Sequence, residues 1–168
     1  INGPATAKDL QPVRLDEILL HTAEQLKQET ADAQPVQITI DTAATAEYTL
    51  RGDASMLHTA VANLLENALK YGLGHKVEVT LTQPLPWHQI AILDYGIGIS
   101  PEEIALVFDP FYRSKTARNM AAGTGLGLTL VKAIAQWHGG SIELAPHPYG
   151  TLFVLKLPCP TDQVWSRL

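Results

Sequence analysis

The chain has 168 residues, which is enough for one domain with a substantial core and too few for two. Its composition, 46% hydrophobic and 17% charged, is typical of a soluble globular protein, and a formal net charge of −5 argues against a general nucleic-acid surface. No apolar run approaches the roughly 18 residues that a membrane span needs, and no signal peptide is visible. The single cysteine, Cys159, has no partner for an internal disulfide, which favours a reducing compartment.

The first half of the chain predicts two helices and three short strands. Residues 1–12 lack a hydrophobic pattern and are interpreted as a linker. Asp16 is expected to cap a helix that continues to about Ala33. A second helix is expected to begin after Asp53 and to end at Gly72. Short or alternating apolar segments predict strands at 13–15, 36–40 and 48–50.

The second half predicts a hairpin, two helices around a loop and a closing pair of strands. Alternation over 76–81 and the apolar run 90–93 predict two strands joined by a proline-containing loop. Pro101 and the two glutamates after it are typical of the first turn of a helix. Residues 112–122 carry cations and small residues without an apolar period, which indicates a mobile loop. Helical spacing returns at 128–138, and strands are expected at 141–144 and 151–157. Because strands adjoin as hairpins, an α+β sandwich fits better than a doubly wound parallel sheet.

The segment NLLENALKY, residues 63–71, lies in the second predicted helix. Asn63, Asn67 and Lys70 are related by i, i+4 and i+7, so they share the face opposite the apolar residues. Two carboxamides and an ammonium are suited to holding a divalent cation and phosphates. Glu, Gln and Lys would form helix better than Asn on a face that is only solvated. The alternative is a surface helix with two chance asparagines.

Two glycine-rich segments add to this pattern. DYGIGI, residues 94–99, follows a buried strand, where the Asp94 carboxylate can accept a hydrogen bond from an exocyclic amine and the glycines let a planar ring approach the backbone. A tight turn capped by Asp94 is the alternative. GTGLGL, residues 123–128, leads into a helix whose N–H groups can bind anionic oxygens. Its sixth position is Leu128 rather than Gly, so it fails the dinucleotide fingerprint, and the chain has no P-loop.

The segment FDPFYR, residues 108–113, joins a predicted helix to the predicted loop. Two phenylalanines three positions apart are more often core than site. We therefore expect both to anchor the loop, with Arg113 alone reaching a phosphate.

In this order, the four segments resemble the N, G1, F and G2 boxes of the ATP-binding catalytic domain of bacterial sensor histidine kinases, in the larger group that includes gyrase, Hsp90 and MutL ATPase domains. The resemblance covers residues 13–157 approximately, and GTLFVLKLP is similar to the last strand of the family. It implies a Bergerat-type fold, a two-layer α+β sandwich in which a mixed five-stranded sheet is covered by three helices. The catalytic domain would span 13–158, between a linker (1–12) from a missing dimerisation and phosphoacceptor hairpin and a C-terminal tail (159–168).

The resemblance also implies ATP and Mg²⁺ as cofactors, bound between helices and a flexible lid at 112–122. Asn67 would coordinate Mg²⁺, Asn63 would support the metal and the phosphates, and Lys70 would neutralise phosphate charge. Asp94 would bind adenine N6, backed by Gly96, Gly98 and a water held by Thr151. Further residues would line the nucleotide site: Tyr71, Ile99, Gly123, Thr124, Gly125, Leu126, Gly127 and Leu128.

The resemblance distinguishes a kinase from a hydrolase at one position. Gyrase, Hsp90 and MutL relatives place a water-activating carboxylate one helical turn before the metal-binding asparagine, where this chain has Asn63. Glu66 precedes Asn67 and could instead assist the acceptor imidazole. We therefore expect the catalytic domain of a protein histidine kinase, with a catalytic set of Asn63, Glu66, Asn67, Lys70 and Arg113.

The phosphoacceptor histidine segment of the family is absent from this sequence, so the chain would bind ATP without phosphorylating itself. The expected partners are the missing hairpin and a response regulator, with no nucleic acid and no membrane contact by this fragment. A cytoplasmic position is implied, with the parent protein anchored in the inner membrane. Two alternatives stay open: a nucleotide-sensing interaction module without transfer activity, and a serine kinase of the anti-sigma-factor type.

Overall fold

The computed structural model describes residues 10–30, 35–42, 47–120, 123–145 and 147–160. The strands are β1 (Gln11–Arg14), β2 (Val36–Ile40), β3 (Thr49–Gly52), β4 (Val77–Thr82), β5 (Trp87–Asp94), β6 (Ser141–Ala145) and β7 (Thr151–Pro158). The helices are α1 (Leu15–Glu29), α2 (Ala54–Tyr71), α3 (Lys115–Met120) and α4 (Gly127–Trp137). Among the described residues, none of these helices is both long and apolar enough to cross a bilayer.

Five strands form one mixed sheet in the order β2-β4-β5-β7-β6, in which β2 and β4 are parallel and the other neighbours antiparallel. β1 and β3 pair separately as a small antiparallel sheet. Every second residue of β4, β5 and β7 is buried, and the apolar residues among them share one core with α1, α2 and α4. The predicted two-layer α+β sandwich with a mixed five-stranded sheet is therefore confirmed.

Helix α2 carries the predicted apolar face and the predicted cap. The Met56 N–H donates to Asp53 Oδ1 at 2.9 Å, which satisfies one of the open N–H groups at the start of the helix. The side chains it buries lie at helical spacing: Leu57, Ala60, Val61, Leu64, Leu65 and Ala68. Because this face is fixed in the core, the opposite face with the two asparagines is directed away from the sheet.

The first helix differs from its prediction at both ends. α1 begins at Leu15, and Asp16 lies inside its first turn, where its carboxylate accepts hydrogen bonds from Arg14 at 2.6 and 3.0 Å. The helix ends at Glu29, and the predicted end at Ala33 lies outside the described residues. Asp16 is thus an acidic residue of the first turn, favourable to the helix dipole, and not the cap.

The helix predicted after Pro101 is wrong. Residues 101–109 form consecutive turns, with hydrogen bonds from Leu106 N to Glu103 O (2.9 Å) and from Asp109 N to Leu106 O (2.9 Å). A further bond of this i to i+3 kind joins Tyr112 N to Asp109 O (3.2 Å), so separate turns follow one another here where a regular helix was expected.

The loop predicted at 112–122 contains a short helix, α3. The Ser114 hydroxyl accepts the Ala117 N–H at 3.0 Å and so caps the first turn. α3 has too few residues to show an apolar period, which is why the pattern gave no helix signal.

Both ends of the predicted domain also shift. Gln11 and Pro12, expected in the linker, pair in β1 with Gly52 and Arg51. Cys159, expected in the tail, is buried, and its N–H donates to the Pro86 carbonyl at 2.8 Å.

The imidazole of His138, directly after α4, joins the end of α4 to the start of α2. Its Nε2 accepts the Asp53 N–H at 3.0 Å, so Nδ1 carries the proton and donates to the Ile134 carbonyl at 2.8 Å. The side chain is buried, and burial lowers its pKa. The neutral imidazole is therefore the form that the fold holds.

We predict that His138 makes the stability depend on pH. The pKa of His138 is lower in the folded chain than in the unfolded chain, so a falling pH protonates the unfolded state first. The stability that the neutral imidazole contributes is therefore fully present above the unfolded pKa of about 6.5 and is lost as the pH falls below it. His138→Ala should lower the free energy of unfolding by about 1–2 kcal/mol at pH 8. Urea unfolding should show that the parent chain and His138→Ala differ less in their free energy of unfolding at pH 5 than at pH 8. His75→Ala, at an exposed histidine, is the control, and a difference that stays constant with pH would contradict the prediction.

Candidate functional site

A cleft of about 370 Å³ lies where α2, the loop after β5, α3 and the start of α4 meet. This volume is within the range of small-molecule sites. The cleft is lined by most of the predicted site residues: Asn63, Glu66, Asn67, Lys70, Tyr71, Asp94, Gly98, Ile99, Arg113, Gly123, Thr124, Gly125, Gly127, Leu128 and Thr151. Gly96 and Leu126, also predicted, are not among the residues that line it.

Five further residues that were not named individually also line the cleft: Ile97, Val107, Tyr112, Ser114 and Ala117. The last three belong to the segment 112–122 that was expected to form the lid. Ile97 lies inside DYGIGI and Tyr112 inside FDPFYR, so both could have been included from their position in a motif. Ser114 and Ala117 belong to the capped turn of α3, which the sequence pattern did not predict.

One end of the cleft is built around the Asp94 carboxyl group. Asp94 ends β5 and is 2% exposed. Its Oδ1 accepts the Gly96 N–H at 2.9 Å, and the Thr151 N–H is a second donor to the carboxyl group. Burial raises the pKa of Asp94, while these two N–H groups act in the opposite direction. A buried acceptor fixed by two backbone donors is suited to recognise an N–H group of a ligand.

Gly96 makes a packing contact that the sequence did not indicate. A Cβ at Gly96 would overlap the backbone carbonyl of Tyr71, the last residue of α2. The next residue, Ile97, donates its N–H to the same carbonyl at 3.3 Å. The loop after β5 is therefore packed directly on the end of α2.

At the other end of the cleft two cations meet the glycine segment. A Cβ at Gly123 would lie 3.8 Å from Lys70 Nζ and 3.8 Å from Arg113 Cζ. The Arg113 guanidinium also donates to the Gly123 carbonyl at 3.3 Å and to the Ala117 carbonyl at 2.9 Å. Three separate segments thus bring an ammonium, a guanidinium and a glycine backbone together, an arrangement suited to anionic oxygens.

The asparagine face of α2 packs close to the start of α4. Asn63 Nδ2 donates to the Thr59 carbonyl at 2.8 Å, and a Cβ at Gly127 would lie only 2.8 Å from Asn63 Oδ1. Gly127 therefore allows α4 to begin beside Asn63. Asn67, one helical turn further along α2, lines the same cleft.

The prediction that both phenylalanines anchor the following segment is wrong for Phe111. Phe108 packs edge-to-face against Phe153 with ring centroids 6.1 Å apart. Phe111 is 71% exposed and has a φ of +63°, which turns its side chain away from the core. The segment is held by backbone instead, because the Phe111 N–H donates to the Gly125 carbonyl at 3.1 Å.

The fold and this cleft define a nucleotide-binding domain of the α+β sandwich type. The family of histidine kinase-, DNA gyrase B- and HSP90-like ATPases matches residues 52–161, and the chain belongs to this family. Within it, the chain is a catalytic, ATP-binding domain of the histidine kinase type, as the following relatives show.

The chain is 37% identical over 161 residues to the sensor-like histidine kinase SenX3 of Mycolicibacterium smegmatis, covering 94% of this chain and 41% of that protein. It is 39% identical over 155 residues to the signal transduction histidine-protein kinase/phosphatase MprB of Mycobacterium leprae, covering 88% of this chain and 28% of that protein. The chain therefore spans less than half the length of these curated relatives. A solved structure of the mycobacterial sensor histidine kinase MprB matches with a TM-score of 0.76 and 33% identity, covering 90% of this chain and 99% of that one.

We predict that the two glycines flanking the cleft differ in their tolerance of a methyl group. Gly96→Ala should lower the free energy of unfolding by about 3 kcal/mol or more, because its Cβ meets a backbone carbonyl that cannot move without moving α2. Gly123→Ala is the matched control, since its Cβ makes only ordinary contacts with side chains. Urea unfolding of both variants measures the difference, and equal stability of the two would contradict the packing role of Gly96.

Proposed function

We propose that this chain binds Mg·ATP in the cleft and transfers the γ-phosphoryl group to a histidine on a separate dimerisation domain of the parent protein, from which an aspartate of a response regulator receives it. The observation that carries the proposal is the opposite character of the two ends of one cleft, a buried carboxyl group at Asp94 and two cations at Gly123. A nucleotide has the complementary polarity, with an exocyclic amine at one end and phosphates at the other.

In the proposed complex, Asp94 accepts a hydrogen bond from the adenine N6 amino group. Tyr71 lies beside the nucleoside, and Gly98, Ile99 and the Thr151 side chain complete this end of the cleft. Support comes from the Gly96 and Thr151 N–H groups, which fix the carboxyl group and leave it acceptor capacity towards the cleft.

The residues at the other end fit a magnesium ion with phosphates. Carboxamide oxygens are ligands that Mg²⁺ accepts, and Asn67 lines the cleft on the same helix face as Lys70. When bound, the ion would neutralise charge that develops on the phosphates. Asn67 would hold the ion and Asn63 would support it, while Lys70 and Arg113 would bind phosphate oxygens together with the backbone of 124–128. Positioning and charge neutralisation are the main requirements of phosphoryl transfer.

A kinase is favoured over a hydrolase by the residue at position 63. A carboxylate there would activate water, whereas the Asn63 amide is bonded to the Thr59 carbonyl and contacts the start of α4. Glu66 does line the cleft, and we propose that it assists the imidazole of the acceptor histidine. A cytoplasmic position, where ATP and the response regulator are found, belongs to the same proposal.

The nucleotide assignment predicts loss of Mg·ATP binding in Asp94→Asn and Asn67→Ala. Asp94→Asn places an amide where the carboxyl group accepts the Gly96 and Thr151 N–H groups and would accept the adenine N6 amino group. Affinity should therefore fall at least about tenfold, while the melting temperature changes by no more than about 4 °C because the penalty for burying the carboxylate is also removed. Asn67→Ala should weaken ATP binding in Mg²⁺ more than in its absence. Calorimetric titration measures both effects, with Asp16→Asn, at the start of α1, as the control. If both variants bind as the parent chain does, the site is assigned wrongly.

The transfer reaction predicts acid-labile phosphate on the dimerisation hairpin of the parent protein when it is mixed with this chain and Mg·ATP labelled at the γ position. Asn67→Ala should slow the transfer at least about 100-fold. Binding of ATP without labelling of the hairpin would favour a nucleotide-sensing module. Acid-stable phosphate on a serine would favour the anti-sigma type of kinase.

A further inference from the structure

The Glu103 carboxylate joins two segments that line the cleft, without lining it itself. Its Oε1 accepts the Tyr112 hydroxyl at 3.0 Å, and its Oε2 accepts the Ser100 hydroxyl at 2.9 Å. Tyr112 lines the cleft, and so does Ile99, which directly precedes Ser100. Glu103 itself is held at this point because its N–H donates to the Ser100 carbonyl at 3.0 Å.

Tyr112 lies at the start of the segment that closes the cleft. The next residue, Arg113, donates to the carbonyls of Ala117 in α3 and of Gly123 in the glycine segment. The described side chains of α3, those of residues 115–118, are not part of the hydrophobic core. Hydrogen bonds from the Arg113 guanidinium to the Ala117 carbonyl and from the Ala117 N–H to the Ser114 hydroxyl hold its first turn. The position of the Tyr112 ring therefore bears directly on the position of Arg113 and of α3.

We propose that Glu103 is a positioning residue for the bound nucleotide. Its carboxylate fixes the Tyr112 hydroxyl, and through Tyr112 it holds Arg113 and α3 over the phosphate end of the cleft. The inference rests on the proposed function, in that the cleft has to take a nucleotide. Its consequence is kinetic: loss of this hydrogen bond frees α3 to open and shortens the time for which the nucleotide stays bound.

The chain offers a matched control in a second tyrosine–carboxylate pair. The Tyr95 hydroxyl donates to Glu78 Oε2 at 2.7 Å, and neither residue lines the cleft. Tyr95→Phe removes a hydrogen bond of the same chemistry from the fold. An effect seen in Tyr112→Phe and not in Tyr95→Phe therefore arises from the position of the Tyr112 hydrogen bond beside the cleft.

The test is the dissociation rate of a fluorescent ATP analogue in Mg²⁺, measured by stopped-flow displacement with excess ATP. Tyr112→Phe and Glu103→Ala should each raise the rate by about 3- to 10-fold. The double variant should be no faster than the faster single variant, because both changes remove the same Tyr112–Glu103 hydrogen bond and Glu103→Ala alone removes the bond from Ser100. Glu103→Gln keeps an oxygen acceptor for the Tyr112 hydroxyl, so its dissociation rate should stay within about twofold of that of the parent chain. The dissociation rate of Tyr95→Phe should also stay within about twofold of the parent.

Two results would overturn the inference. Rates for Tyr112→Phe and Glu103→Ala that match Tyr95→Phe would show that the bond has no bearing on the nucleotide, and rate increases that multiply in the double variant would show that the two residues act separately. Failure of the proposed function gives a different result, since the parent chain would then bind no analogue at all. Melting temperatures within about 4 °C of the parent for every variant confirm that the rates report on the cleft.

Discussion

The cleft depends on one helix, α2, being fixed in rotation and in position. Its rotation is set by the core, because six buried apolar side chains on one face leave Asn63 and Asn67 facing away from the sheet. Its position is set at both ends. The Asp53 N–H at its start is held by the imidazole of His138, and the Tyr71 carbonyl at its end accepts from the loop after β5. In a well-packed interior such a helix cannot rotate by even a fraction of a turn without losing this core, so the amide groups are held in place by apolar packing on the other side of the helix.

At one end of the cleft, burial of the Asp94 carboxyl group works against the stability of the fold. Removing the Asp94 carboxyl group from water raises its pKa, because its charged form is less favourable in the folded chain than in the unfolded chain. The Gly96 and Thr151 N–H donors offset only part of the effect of burial, because the net shift of the Asp94 pKa is upward. A burial of this kind is frequently found at functional sites, where the acceptor is needed for a ligand. The cations at the other end are provided by side chains on two different elements, Lys70 on α2 and Arg113 before α3.

Sequence reasoning predicted the elements whose signals are local and repeated. α2 combines a cap, a helical apolar period and a glycine after its last residue, and all three agree with the structure. Four motifs predicted most of the cleft because each marks an element that the fold brings to one place. The turns at 101–109 were wrongly predicted as a helix, since a Pro and two glutamates favour a helix start but cannot supply the buried face that would extend it. α3 was missed because a helix of six residues is too short to show an apolar period. The packing of Gly96 on α2 and the exposure of Phe111 depend on contacts between distant segments, and no local pattern contains them.

The two walls of the cleft differ in how they are held, and this difference fits a site that has to open and close. One wall is formed by α2 and by residues at the ends of β5 and β7, which belong to the common core. The other includes the segment from Tyr112 to Ala117, which is held by the capping bond of Ser114, by the two carbonyls that Arg113 reaches and by Glu103. Hydrogen bonds at a protein surface contribute about 1 kcal/mol each, far less than the burial of a helix face. In the proposed function the rigid wall would fix the geometry that a nucleotide meets. The wall held only by hydrogen bonds costs less to open, and its opening would move Arg113 away from the phosphates.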